Sequence, residues 1–243
     1  MNEDLRNKLF DNYSSRTNNL DSSYIEKYNW FNTYFKNFYN PFLEEKENKN
    51  LNILDVGCNR GYLLKVIKDH GYKNIVGIDL SNEDLEHARK LDLDCPILNV
   101  DAFDYLEKNK SKFDVIIIKA VLEHIPKDKV SEMIRLLMES LNSGGQLIID
   151  VPNMDWLFAT HERYMDFTHE VGFTKESIEQ VMRLHFEKYK IFTGDNIFNR
   201  NFIGRLRTKI ARKFIEKILG WADPEGVSNP IWNRSLIAVG FKN

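Results

Sequence analysis

The chain has 243 residues and a formal net charge of -2, from 34 lysines and arginines against 36 acidic residues. That length fits one large α/β domain or two small ones, each able to bury a core. The near-neutral balance argues against a general nucleic-acid coat, and 12% aromatic residues exclude wholesale disorder. In chain order, an aromatic-rich stretch from Tyr24 to Phe42 has the spacing of one or two helices that cap a core. The N-terminal residues show no basic segment followed by an apolar one, so no secretory signal is expected. From residue 51 onward, short apolar runs at Leu51–Val56, Asn74–Leu80, Pro96–Val100, Phe113–Lys119 and Gln146–Val151 predict strands. They alternate with helical spacing at Tyr62–Asp69, Asn82–Leu91, Phe103–Lys108 and Asp128–Leu141, the last stopped by Asn142-Ser143-Gly144-Gly145. Such alternation means crossover units and a parallel sheet. A final strand is predicted at Arg234–Phe241, and polar inserts at 152–173 and 197–230 interrupt the pattern.

Cys58 and Cys95 cannot build a disulfide framework, and no cysteine cluster offers a zinc or iron–sulfur site; no sequence feature identifies a metal, and none excludes one supplied with the acceptor. Apolar runs such as Val115–Ile118 fall far short of the ~20 residues of a membrane helix. A cytoplasmic globular protein is the plain expectation.

The sharpest local signal is Ile53-Leu54-Asp55-Val56-Gly57-Cys58-Asn59-Arg60-Gly61, closing the first predicted strand. Glycines let the backbone approach a ligand, and the helix start that follows supplies unpaired N–H groups. A nicotinamide fingerprint would need glycines where Asn59 and Tyr62 stand, and a tyrosine prevents the close helix–strand packing of the third glycine. The pattern Asp55, Gly57, Asn59, Gly61 instead resembles motif I of class I S-adenosylmethionine-dependent methyltransferases, with Asn59 in place of the middle glycine. The resemblance continues through Gly77-Ile78-Asp79-Leu80-Ser81, Asp101-Ala102-Phe103, the segment Phe113–Ile117 leading into Ala120-Val121-Leu122-Glu123-His124-Ile125, and Leu141–Gly145. It implies a Rossmann-like, doubly wound, mostly parallel seven-stranded sheet with an antiparallel last strand. A helical cap at 1–50 and a catalytic domain at 51–243 complete the expected organisation. It also implies that S-adenosylmethionine binds, leaving S-adenosylhomocysteine as product. Asp55, Gly57, Asn59, Gly61, Asp79, Leu80, Asp101, Ala102 and Ala120 would contact that cofactor, Asp79 at the ribose and Asp101 near the adenine. Asp55 can equally serve the turn by hydrogen bonding, and His124, Asp114 and Glu123 can equally be structural.

The first insert is dense in ionisable groups, and Tyr164–Thr174 (YMDFTHEVGFT) resembles a segment of methyltransferases associated with bacterial surface and capsular glycans. A loop after a parallel strand faces the ligand crevice. The resemblance therefore implies O-methylation of a glycan precursor, with Tyr164 and Glu170 contacting the acceptor and His169, with Asp166, as catalytic base. Asp166 and His169 can also simply brace the loop. In the second insert, Arg200, Arg205, Arg207, Lys209, Arg212, Lys213 and Lys217 accompany Phe202, Leu206, Ile210, Phe214 and Ile218 at a four-residue spacing, predicting a basic amphipathic helix. Its cations could be solvated, grip an anionic acceptor through Arg200 and Arg205, or touch an anionic membrane. Other readings are a small-molecule O-methyltransferase, if the aromatic stretch lines the pocket, and a non-catalytic binding partner. No nucleic-acid partner is expected, because the net charge is negative and no aromatic stacking platform stands out in the basic segment.

Overall fold

The computed structural model describes residues 3–10, 13, 23–194, 201–222 and 232–243. Seven strands among them form one sheet: β1 (Asn52–Val56), β2 (Asn74–Asp79), β3 (Ile97–Asn99), β4 (Phe113–Lys119), β5 (Leu141–Pro152), β6 (Lys188–Gly194) and β7 (Ser235–Phe241). Their order is β3-β2-β1-β4-β5-β7-β6. The pairs linking β1 to β5 are parallel, and β7 runs antiparallel to both β5 and β6. This is the Rossmann-like sheet that the motifs implied. β6 is the strand the sequence did not reveal; it is a half-exposed edge whose Lys188 and Lys190 break the apolar run.

Buried strands alternate their side chains between the two faces. On β4, Ile116 and Ile118, and Phe113 on the far side of a register shift before Val115, join the face covered by α6 (Ala102–Glu107), α7 (Val130–Ser140) and α9 (Lys175–His185). Val115 and Ile117 join the other face, where α2 (Tyr24–Phe38), α3 (Asn40–Glu44), α4 (Tyr62–Asp69) and α5 (Asn82–Arg89) pack. α4 contributes Leu63, Leu64, Val66 and Ile67 to that core, each worth roughly 1.5–3 kcal/mol of burial. The aromatic stretch does cap this face. Ser23 starts α2 with a capping box to Glu26, and Tyr34, Phe35 and Tyr39 are buried. α7 stops at Ser140, one residue before the predicted end, and β5 begins at once.

The remaining helices are α1 (Glu3–Phe10), α8 (Ala159–Tyr164) and α10 (Phe202–Ala222). α10 is the predicted basic amphipathic helix, but its apolar stripe is in the open: Phe202, Leu206, Ile210, Phe214, Ile218 and Trp221 are all exposed. Trp232 meets it, donating Nε1–H to Glu216 Oε1 at 2.7 Å and lying under the Arg212 guanidinium. Among the described residues no helix is long and apolar enough to cross a membrane.

Candidate functional site

β1 lies between β2 and β4, so the strand order reverses beside it, and the crevice above such a switch point is where open parallel sheets take ligands. The turn leaving β1 is shaped for close approach. Gly57 (φ 76°), Asn59 (φ 47°) and Gly61 (φ 77°) all occupy the left-handed region, which Asn tolerates better than most residues. Gly57 and Cys58 both donate N–H to the Ile78 carbonyl, at 2.9 and 3.0 Å, tying the turn to β2. Gly61 then forms the N-cap of α4.

A cavity of about 620 Å³ opens over this turn. Asp55, Gly57, Asn59, Asp79, Leu80, Asp101, Ala102 and Ala120 line it, so eight of the nine expected cofactor residues share one wall; Gly61 stands just behind, at the helix start. Asp79 accepts N–H from Asn59 on one oxygen and from Ser81 on the other, each at 2.8 Å. A carboxylate has about four lone-pair sites, so capacity for two hydroxyls remains. Burial lifts the Asp79 pKa above its ordinary value despite the backbone N–H groups that pull it down. Asp101 caps α6 through Oδ1, which accepts from Phe103 and Asp104. Ala120 holds φ 52°, a strained conformation for an alanine.

Asp55 is buried and its Oδ2 has no hydrogen-bond partner among the described residues. Burial first, and then the Asp79 charge, push its pKa up to about 8, against the pull of Lys119. Arg60 pairs with Asp84 through Nε at 3.0 Å, while its Nη2 is buried and unpartnered. An orphaned carboxyl oxygen and an orphaned guanidinium nitrogen at one cavity suit a ligand carrying both an ammonium and a carboxylate, as the amino-acid end of S-adenosylmethionine does. Together with the glycine cradle and Asp79, these residues fit that cofactor. Arg60 was missed in the sequence although it stands inside the turn motif. Trp30 and Phe31, from the aromatic stretch that the sequence offered as a pocket lining, also line the wall. Lys27 and Lys119 line it too and were missed, because only folding brings α2 and the end of β4 there.

His124, Phe10 and Tyr13 belong to the same wall. His124 meets His169 with ring centroids 4.7 Å apart. Its Nδ1 is 2.8 Å from Thr168 Oγ1, which also lies 2.7 Å from Asp166 Oδ1. Tyr13 donates its hydroxyl to Asp166 Oδ2 at 2.5 Å. Burial acts to raise the Asp166 pKa, but the hydrogen bonds from Tyr13 and Thr168 outweigh it and hold the carboxyl below its ordinary value. Glu123 is buried, and desolvation pushes its pKa up to about 8. Glu170 and Val171 both donate backbone N–H to the Glu123 carbonyl, and Arg163 donates to the carbonyls of His169 and Glu170. The structure thus brings His169, Asp166 and the backbone of Glu170 to His124 and Glu123. It does not bring Tyr164, which is exposed and outside the cavity wall. Arg205 is exposed on α10, also outside that wall, and Arg200 lies outside the described residues. Asp114 accepts from Asn52 N–H and from the Asn142 side chain, a brace far from this chemistry.

Residues 29–197 match the family model described as "Methyltransferase domain". The chain belongs to that family and is an S-adenosylmethionine-dependent methyltransferase, as its motifs implied. Curated relatives share part of it. The tRNA U34 carboxymethyltransferase of Nautilia profundicola is 34% identical over 108 residues, 42% of this chain and 34% of that protein. The one from Aliarcobacter butzleri is 30% identical over 132 residues, 52% of this chain and 41% of that protein. The chain therefore spans about a third to two fifths of the length of these relatives. Among solved structures, a SAM-dependent methyltransferase from Archaeoglobus fulgidus aligns with TM-score 0.60 at 20% identity, over 79% of this chain and 86% of that one. Magnesium protoporphyrin IX methyltransferase from Synechocystis PCC 6803, with bound S-adenosylhomocysteine, aligns with TM-score 0.65 at 13% identity, each chain covered fully.

Two expectations are corrected by the relatives. Their names specify a tRNA, not a surface glycan or another small molecule, so the glycan acceptor is withdrawn. The expectation of no nucleic-acid partner falls with it. Net charge averages the whole chain, whereas a phosphate backbone responds to a local field, and α10 concentrates Arg205, Arg207, Lys209, Arg212, Lys213 and Lys217 against Glu216. Phe202, Phe214 and Trp221 stand exposed among those cations.

Proposed function

We propose that this methyltransferase acts on a tRNA, with its cofactor in the cavity above β1 and its acceptor nucleoside entering beside His124. The observation that carries this reading is the 34% identity to relatives named for a tRNA uridine. The exposed cations and aromatics of α10 support it, since phosphates and unstacked bases need those two partners. Asp79 would hold the ribose, Asp55 and Arg60 the amino-acid end, and Asp101 the adenine side. Bound S-adenosylmethionine supplies an electrophilic methyl group on a sulfonium. The protein's share is alignment of acceptor and donor and exclusion of water, which together are worth up to ~7–11 kcal/mol. A tRNA acceptor puts the reaction in the cytoplasm.

The test is incorporation of label from methyl-labelled S-adenosylmethionine into a bulk tRNA pool, followed by nucleoside mass spectrometry. Label is expected in a single modified nucleoside, with tRNA binding weakening steeply as salt rises. Asp79→Asn should weaken cofactor binding roughly tenfold, the ~1.4 kcal/mol of a lost charge-assisted hydrogen bond. A protein that binds the cofactor yet transfers nothing to tRNA would overturn the acceptor while leaving the cofactor site standing.

A further inference from the structure

We propose that Glu123, His124 and His169 form a binding site for a divalent transition-metal ion at the cavity wall. Donor atoms of the three side chains lie within 4.8 Å of one another. Ligation at about 2.0–2.2 Å requires them to close to roughly 3.5 Å, a side-chain adjustment that leaves the backbone in place. The backbone already locks the site. Glu170 and Val171 N–H groups clamp the Glu123 carbonyl, so the loop carrying His169 is pinned to the turn carrying Glu123 and His124.

The hydrogen bonds made by the outer ring nitrogens set both imidazoles in the ligating form. His169 Nδ1 is 2.9 Å from the Glu162 carbonyl oxygen, which can only accept, so Nδ1 carries the hydrogen and Nε2 the lone pair. Thr168 spends its one hydroxyl hydrogen on the Asp166 carboxylate, so at 2.8 Å it must accept from His124 Nδ1. That ring, too, carries its lone pair on Nε2. Metal-bound histidines are oriented by outer partners of this kind. Independently, Glu123 is 3% exposed and its Oε2 has no hydrogen-bond partner among the described residues. A buried carboxylate oxygen left this way is costly unless a cation satisfies it.

Two imidazoles and one carboxylate suit Zn²⁺, Mn²⁺ or Fe²⁺ with coordination positions left over, and suit Mg²⁺ or Ca²⁺ poorly. Because His124 is part of the cavity wall, a metal held here would lie at the edge of that cavity, within reach of an acceptor that enters it. A ligated His169 has no lone pair for a proton, so the site replaces the base expected from the sequence with a metal that polarises the acceptor. Sequence spacing hid it: Glu123 and His124 are adjacent, but His169 comes 45 residues later.

Metal-stripped full-length protein, without cofactor or tRNA, would be titrated calorimetrically with Zn²⁺ alone and with Mn²⁺ alone, and its metal content measured after dialysis. About one equivalent of Zn²⁺ per chain is expected. Glu123→Gln and His169→Ala should each weaken it by roughly tenfold or more, and Thr168→Val should weaken it by roughly 10–100-fold through the lost tautomer lock. His161→Ala, at an exposed histidine, should change nothing. Thermal melts identify any variant that fails to fold, and His169, which is only partly buried, is the variant least exposed to that failure. No binding at micromolar Zn²⁺, or an equivalent that survives both Glu123→Gln and His169→Ala in folded protein, would overturn the site. The readout needs neither cofactor nor tRNA, so it stands or falls separately from the proposed acceptor.

Discussion

Val121 closes over Gly57 so tightly that a β-carbon added to the glycine would lie 2.2 Å from the valine Cγ2. The contact joins the turn after β1 to the turn after β4, both of which line the cavity. Any side chain at 57 must push Val121 away, and it must also adopt φ 76°. Gly57→Ala is therefore expected to cost about 1–3 kcal/mol of stability and to weaken cofactor binding by roughly tenfold or more. Calorimetry and a thermal melt on the same preparation check both. Wild-type affinity in the variant would show that the cradle tolerates a β-carbon.

The Asp55 carboxyl makes the stability of the protein depend on pH. Its pKa is lifted from the ordinary carboxylate value to about 8 in the folded protein, by burial and then by Asp79. Between those values the folded state binds more protons than the unfolded state, so this group's contribution to stability falls as pH rises. Asp55→Asn removes the titration. The melting temperature of the variant relative to wild type should rise steadily between about pH 5 and pH 8. A constant difference across that range would mean that Asp55 is ionised throughout, already satisfied by a cation in the unliganded protein.

Beneath the site, Lys119 donates to Asp150 Oδ2 at 2.9 Å, and the Tyr39 hydroxyl donates to the same oxygen. Asp150 is almost fully buried, and the Lys119 ammonium also lies 4.6 Å from the Tyr34 ring centroid. Removing one partner of a buried pair leaves a charge that water cannot reach, at a cost of about 3–5 kcal/mol. Lys119→Met should fall near the lower figure, since Tyr39 still serves Asp150. Adding Asp150→Asn should recover part of the loss, a coupling that urea denaturation of the four proteins would measure. Strict additivity would show that the two charges do not interact in the folded state.

The order of strands and helices from residue 51 to 151, and the residues that line the cavity over the turn after β1, were legible because their signals are local. A buried parallel strand must be apolar nearly throughout, and a turn that hugs a ligand must accept positive φ, so Leu54, Ile116, Gly57 and Gly61 announce their roles within a few positions. The acid at Asp79 was legible for the same reason, since it ends a strand at the expected distance from the turn. β6 was not, because an edge strand half in water keeps lysines that erase its pattern. Nor were Arg60, Lys27 and Lys119 as wall residues, since burial and direction belong to the packed chain. Neither net charge nor periodicity could say that the apolar stripe of α10 stays uncovered beside its cations. The grouping of Glu123, His124 and His169 belongs wholly to the tertiary structure. It exists because two backbone N–H groups fasten the loop after β5 to the turn after β4, bringing together side chains that the sequence holds 45 residues apart.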